Sequence, residues 1–265
     1  MDESPPILPP EPAAPPHPHP TMSLGARLMN VFAIPGDVFE EVKATRPSVA
    51  NWLVPALLTT VVMALMTLVV MSQPAIQQKM REQQEQAIEK QVQAGRISRA
   101  DADKQMAIME KFSGPAVKAV GSVMTGTIYG FVRVFWWATV LWLLGRWLLK
   151  ARFPYRKAME VGGLAGMVGV LGLIVTMLLQ INFSDPNSSP SLALLLDKFD
   201  TKNIGHLVLA TANVFHIWQA VVLATALSRL AGVPLARGVF VFLPFWLLMQ
   251  SVLIAISAGF ARLMG

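Results

Sequence analysis

The sequence has no cysteine, which excludes disulfide bonds, iron–sulfur clusters, thiolate metal sites and cysteine nucleophiles. Charge is also scarce, because only 14% of the 265 residues are Asp, Glu, Lys or Arg, whereas a soluble domain carries about 25%. Hydrophobic residues make up 54% of the chain, and the mean hydropathy is +0.50. A soluble globular enzyme is therefore not expected.

Motifs that carry common chemistries are missing as well. The chain contains no phosphate-binding GxxxxGK[ST], no zinc-binding HExxH and no GxSxG around a nucleophilic serine. We expect no catalytic residue, no metal site and no cofactor, and hence a protein that is not an enzyme.

The main feature of the sequence is a set of long apolar runs. Each of five runs can cross the hydrocarbon layer of about 30 Å as a helix that rises 1.5 Å per residue. The fold class predicted is therefore all-α: a polytopic membrane protein with five transmembrane helices. The predicted spans cover about residues 52–71, 119–147, 161–181, 204–228 and 238–261.

Two segments lie outside these spans. Residues 1–21 hold nine of the 19 prolines and predict a disordered tail before the membrane domain, residues 22–265. Residues 73–118 are polar, have high helix propensity and are broken at Gly95, which predicts an extramembrane helical hairpin. A short amphipathic segment, residues 24–46, is expected at the membrane interface.

Lys and Arg in the short loops predict the orientation. The loop after span two has five such residues, whereas the loops after spans three and four have two each. The N-terminus and the 146–157 loop are then cytoplasmic, and we expect a multi-pass protein of a bacterial inner membrane. The basic loop is a candidate site for anionic lipid heads. Its residues are Arg146, Lys150, Arg152, Arg156 and Lys157.

The overall charge of +6 and the pI near 9.8 do not indicate a nucleic-acid partner. The basic residues lie in loops and helix flanks rather than on one folded face, and no nucleic-acid recognition fold is visible. Membrane topology accounts for the bias, so the lipid bilayer is the expected partner.

Arg133 is the one formally charged residue well inside a predicted span, and none of the spans contains an Asp or Glu to pair with it. It either anchors the helix structurally, by snorkelling to an interface, or lines a lipid or ion pathway. Glu160, backbone carbonyls and lipid phosphate are its possible partners.

Span four carries three polar residues, Asn213, His216 and Gln219, and span five carries Gln250. Asn213 and His216 share one helical face. These groups form either a proton relay or, because an acidic partner is missing, interhelical hydrogen bonds. Together with Arg133 they make up the candidate polar site in the membrane interior.

Small residues recur at helical spacing in spans two and three, which allows close helix packing within the chain, with a second copy or with another membrane protein. These candidate packing residues are Gly126, Gly130, Gly162, Gly166 and Gly169.

Two motifs give a resemblance to a known family. The first is NVFAIPGDVFEE at residues 30–41, followed by WLVP at 52–55, and the second is NVFHIW at 213–218. In order and spacing they resemble the Yip family of Ypt/Rab-interacting membrane proteins over about residues 24–262. Asn213 stands where the family pattern is acidic, and His216 where a small hydroxyl residue is common.

The resemblance implies five spans with a cytosolic amino end. For eukaryotic members it also implies small GTPase partners and roles in vesicle traffic. The translocated hairpin and the proline-rich tail suggest a bacterial member, which has no Rab system.

Three functions are compatible with the sequence. The first is a non-enzymatic membrane-organising or trafficking-type interaction module. The second is a permease, channel or lipid-transporting protein with a polar path between spans two, four and five. The third is a subunit that holds partners through its glycine faces and has no activity alone.

Overall fold

The computed structural model describes residues 21–112, 114–200 and 202–264. Helices form almost all of this part of the chain, and no strand occurs within it. Five of the helices are long and apolar enough to cross a membrane, with 18 to 32 residues in their apolar portions. The all-α, five-span prediction is confirmed. The predicted tail falls mainly on residues 1–20, which lie outside the described residues.

Two short helices precede the first span. Helix α1, Leu24–Asn30, begins where the Ser23 hydroxyl accepts a hydrogen bond from the Ala26 N–H. Helix α2, Pro35–Ala44, has proline at its first position, where a missing N–H costs little. Its Val38, Phe39 and Val42 side chains are fully buried against the bundle.

The first span and the hairpin follow the sequence prediction closely. Helix α3, Ala50–Ser72, is the span, and α4, Pro74–Gln93, with α5, Arg99–Lys111, forms the hairpin. Gly95 takes a φ of 67° between the two hairpin helices, and the Ser98 hydroxyl accepts from the Asp101 N–H to begin α5.

The second, third and fifth spans are longer than predicted. They are α6, Pro115–Trp147, α7, Tyr155–Phe183, and α10, Leu235–Met264. The largest shift is at the start of α7, because Lys157 and Glu160 lie within the helix and are buried there. The sequence predicts a loop over this stretch because it is rich in charged residues.

The fourth span is not one continuous helix over 204–228 as predicted. A short helix α8, Ile204–Thr211, is followed by a break at residues 212–213 and then by α9, Val214–Ala231. The Asn213 carboxamide oxygen accepts from the N–H groups of Phe215 and His216 and so begins a new helix.

An extended piece of chain completes the backbone hydrogen bonds at this break. The N–H of Leu192 donates to the carbonyl of Ala212, and the N–H of Val214 donates to the carbonyl of Pro190. The same piece of chain continues into a 3₁₀ turn, Leu192–Leu195.

The bundle centres on α6, α7 and α9, with α3 packed on α6 and α7 and with α10 packed on α9. Leu141, Leu164, Leu223, Leu227 and Phe242 are fully buried between these helices. Because successive spans alternate in direction, α1, α2 and the loops 148–154 and 232–234 share one end, here called the α1–α2 end. The hairpin, the loop 184–203 and α8 lie at the other, the hairpin end.

Candidate functional site

Arg133 lies in the middle of α6 and faces α7 and α9. Its Nη2 donates a short hydrogen bond to the side-chain oxygen of Gln219 on α9. The guanidinium lies over Gly169 of α7, where an added β-carbon would come within 1.8 Å of Nη2. Arg133 thus packs inside the helix bundle, and its observed partner, Gln219, is not among those the sequence suggested.

A cavity of about 60 Å³ adjoins the guanidinium between α6, α7 and α9. Its polar lining comes from Tyr129, Arg133, Thr176, Asn213 and His216. Within the described part of the chain, Nη1 of Arg133 is buried and has no hydrogen-bond partner. A cation with unused donor capacity therefore lies beside the cavity.

The polar residues predicted for the membrane interior are brought together with one exception. Asn213 and His216 line the cavity, and Gln219 binds Arg133 from the next turn of α9. Asn213 acts as the cap of α9 rather than as a residue on a continuous helical face. Gln250 is half-buried on α10 and does not line this cavity.

The predicted glycine surfaces pack within the chain. A β-carbon on Gly126 would lie 2.8 Å from the carbonyl of Thr60, and one on Gly130 would lie 2.7 Å from the carbonyl of Ala56. These two glycines let α6 approach α3 closely.

The glycines of α7 differ from one another. Gly162 faces α6 near the backbone nitrogen of Ala138, at 3.4 Å from an added β-carbon. Gly169 faces Arg133 as described above. Gly166 has no neighbour within 4 Å of such an atom, so its place in the predicted close-packed surface is wrong.

A second group of polar residues, at the α1–α2 end, forms a buried charged network of Arg27, Glu41, Asn51, Lys157 and Glu160. The Asn51 side-chain nitrogen donates to Glu160 at 2.6 Å, and the Lys157 ammonium lies 3.2 Å from the other Glu160 oxygen. Asn51 and Glu160 are each 1% exposed. A charge pair this deep is stable only when its atoms are bonded on several sides.

The network continues into the two short helices. Arg27 of α1 donates to the Asn51 oxygen at 3.3 Å and to Glu41 of α2 at 2.8 Å. The Lys157 ammonium also donates to the carbonyls of Val42 and Thr45 at the C-terminus of α2. A cation is favourable there because the last carbonyls of a helix carry partial negative charge. The network therefore ties α1 and α2 to α3 and α7.

The candidate anionic-lipid loop needs one correction. Lys157 is 5% exposed and bonded within the network, so its ammonium does not face lipid. Lys157 and Glu160 are three residues apart, and this spacing in the sequence is typical of an ion pair on one face of a helix. Arg146, Lys150, Arg152 and Arg156 are exposed at the α1–α2 end as expected.

At the hairpin end, a groove of about 510 Å³ separates α4 from the loop after α7. Lys79 of α4 and Asp185 of the loop are joined across it by an ion pair of 2.9 Å. Burial raises the pKa of Asp185, but hydrogen bonds from the Asn187 N–H and from Lys79 outweigh it, and the net pKa lies below the ordinary value. This contact fastens the hairpin to the bundle.

Comparison with known proteins gives one match over most of the chain. The family model of the Yip1 domain matches residues 29–256, a range that includes the cavity at Arg133 and every residue of the buried network except Arg27. No curated protein and no solved structure matches the chain.

Proposed function

This chain belongs to the Yip1 domain family of membrane proteins, and on that premise we propose that it is a non-enzymatic membrane-organising or interaction module. Its working surface is the α1–α2 end of the bundle, where it contacts anionic lipid heads. The proposed setting is a bacterial inner membrane with this end in the cytoplasm.

The observation that carries the proposal is the buried charged network. Burying Lys157 and Glu160 costs desolvation energy that a well-packed apolar pair would avoid. What the network provides is a defined position for α1 and α2, because Arg27, Glu41 and the α2 carbonyls are all bonded to it. A surface held in one arrangement suits recognition rather than transport.

The side chains exposed at this end fit an anionic membrane surface. Met29, Val49, Trp147 and Leu148 are exposed apolar residues, and four basic residues of the 146–156 loop lie beside them. Each basic residue near such a surface contributes about 1 kcal/mol to its attraction. Arg146 also lies over the Trp142 ring, 5.5 Å from its centre.

Basic residues outside the hairpin support the proposed orientation. The hairpin itself carries eight Lys and Arg, but a long segment translocates largely regardless of charge, and without it the hairpin end holds Lys198, Lys202 and Arg262. Cytoplasmic segments of membrane proteins carry an excess of Lys and Arg. The fold assigns ten basic residues and four acidic ones to the α1–α2 end. They are Arg27, Lys43, Arg46, Arg146, Lys150, Arg152, Arg156, Lys157, Arg229 and Arg237, against Asp37, Glu40, Glu41 and Glu160.

A permease or channel with a path between spans two, four and five is less well supported. The cavity between the helices at Arg133 measures only about 60 Å³ and receives no residue from span five. Close packing at Gly126 and Gly130 leaves no space for solute between the first two spans.

The test is retention of anionic lipid after extraction in native lipids, measured by native mass spectrometry. Changing Arg146, Lys150, Arg152 and Arg156 together to Gln should remove most of the bound anionic lipid. The matched control changes four exposed basic residues at the hairpin end to Gln: Arg81, Lys90, Lys104 and Lys202. An unchanged lipid profile in the first variant, or an equal loss in both, would refute the proposal.

A further inference from the structure

Among the residues that the structure describes, no carboxylate forms an ion pair with Arg133. A guanidinium stays protonated in proteins, so it cannot become neutral as a buried lysine does. Glu160, the nearest carboxylate along α7, precedes Gly169 by nine residues, about 13 Å of helix, and is bonded to Lys157 and Asn51. The side chain that accepts a hydrogen bond from Arg133, that of Gln219, is uncharged.

The cavity beside Arg133 presents hydrogen-bond donors and no acid. Nη1 of Arg133 is unpartnered. Asn213 is 6% exposed and uses its oxygen to cap α9, so its amide nitrogen remains for the cavity. His216 and Tyr129 also line the cavity, and both side chains carry a donor hydrogen.

The start of α9 adds to this positive field. The helix has 18 residues and begins at the cavity wall, where its first N–H groups carry partial positive charge. The break at Asn213 places this helix end beside Arg133 instead of farther along a continuous span.

The size of the cavity limits what it can hold. One water needs about 10–15 Å³ of such a volume, so 60 Å³ accommodates one small anion with a water molecule but no organic headgroup. We propose that the cavity between Arg133, Asn213 and His216 binds one small inorganic anion of the halide class. The anion supplies the counter-charge that no described residue provides to Arg133.

The experiment measures chloride binding to the full chain in nanodiscs through the broadening of the ³⁵Cl resonance. Wild type should give protein-dependent broadening that added bromide reduces by competition. Arg133→Gln removes the charge and should weaken binding at least about tenfold, since a charged hydrogen bond is lost. Arg152→Gln is the control, because it removes one exposed positive charge far from the cavity.

If Arg133→Gln does not fold, Asn213→Asp serves as a second variant that tests chloride binding in the cavity. Aspartate caps a helix as well as asparagine does, and here it places a carboxylate in the cavity. We expect this variant to melt at or above the wild-type temperature and to lose the chloride signal. The proposal is overturned if Asn213→Asp binds chloride as wild type does, or if folded wild type shows no bromide-sensitive broadening, which means that the cavity holds water only.

Discussion

The guanidinium of Arg133 occupies the space that a side chain on residue 169 would need, since a β-carbon on Gly169 would lie only 1.8 Å from Nη2. The absence of a side chain at Gly169 is therefore what allows a charged residue on α6 to pack against α7. From this position Nη2 donates to Gln219 of α9, so the guanidinium contacts residues of α7 and α9.

Gly169→Ala should destabilise the protein, because the guanidinium must leave its position or the helices must separate. Overpacking of this kind costs about 1–3 kcal/mol. Gly166→Ala on the same helix is the matched control, since its β-carbon meets nothing within 4 Å. It should leave stability unchanged or raise it by about 0.5–1 kcal/mol through helix propensity. Thermal unfolding in detergent measures both, and equal effects would contradict the role assigned to Gly169.

Glu160→Gln should lower stability by about 3–5 kcal/mol, because it leaves the Lys157 ammonium buried without its counter-charge. The double variant Lys157→Met/Glu160→Gln should recover part of that loss, since no unpaired charge remains. Both are measured by thermal unfolding.

The control for that prediction is Glu40→Gln at the same end. Glu40 forms an exposed pair with Lys43 at 3.9 Å, and such pairs contribute about 0–1 kcal/mol. A change at Glu160 no larger than the change at Glu40 would show that the buried network does not hold α1 and α2.

The contact between the hairpin and the bundle should weaken in acid. The folded-state pKa of Asp185 lies below its ordinary value, so its contribution to stability is present above the unfolded pKa of about 4 and is lost as pH falls through the folded pKa. Because both partners are partly exposed, the pair is worth at most about 1 kcal/mol.

Hydrogen exchange at the start of α4 measures this release. Asp185→Asn should give, at neutral pH, the lower protection factors that wild type shows only in acid, where a protection factor is the intrinsic exchange rate at that pH divided by the observed rate. Asp197→Asn, in the same groove, is the control and should behave as wild type. Wild-type protection factors that do not change between neutral pH and pH about 3 would contradict the assignment.

The fold was largely predictable because apolar runs longer than 20 residues have few alternatives to membrane-spanning helices. The break in span four was not predictable. Asn213 lies within an apolar run, and sequence alone does not distinguish a helix-capping asparagine from a polar residue in the middle of a helix. Its capping role depends on residues 190–192 being available to complete the backbone hydrogen bonds.

The candidate site was predictable in its residue types but not in its partners. Arg133, Asn213, His216 and Gln219 stood out as polar groups in apolar sequence, and the structure brings them together. The buried network was missed because Arg27, Glu41 and Lys157 read as ordinary charges of loops and helix flanks. Only the docking of α1 and α2 against α3 and α7 makes them interior residues.

The most direct test of a fixed α1–α2 surface is a distance between spin labels in lipid nanodiscs. The chain has no cysteine, so labels at Glu40→Cys and Arg152→Cys, both exposed, report α2 and the basic loop without background. The account predicts one narrow distance distribution that broadens when Glu160→Gln is added. A broad distribution without that change would show that α1 and α2 are not held by the network, and would contradict the central claim.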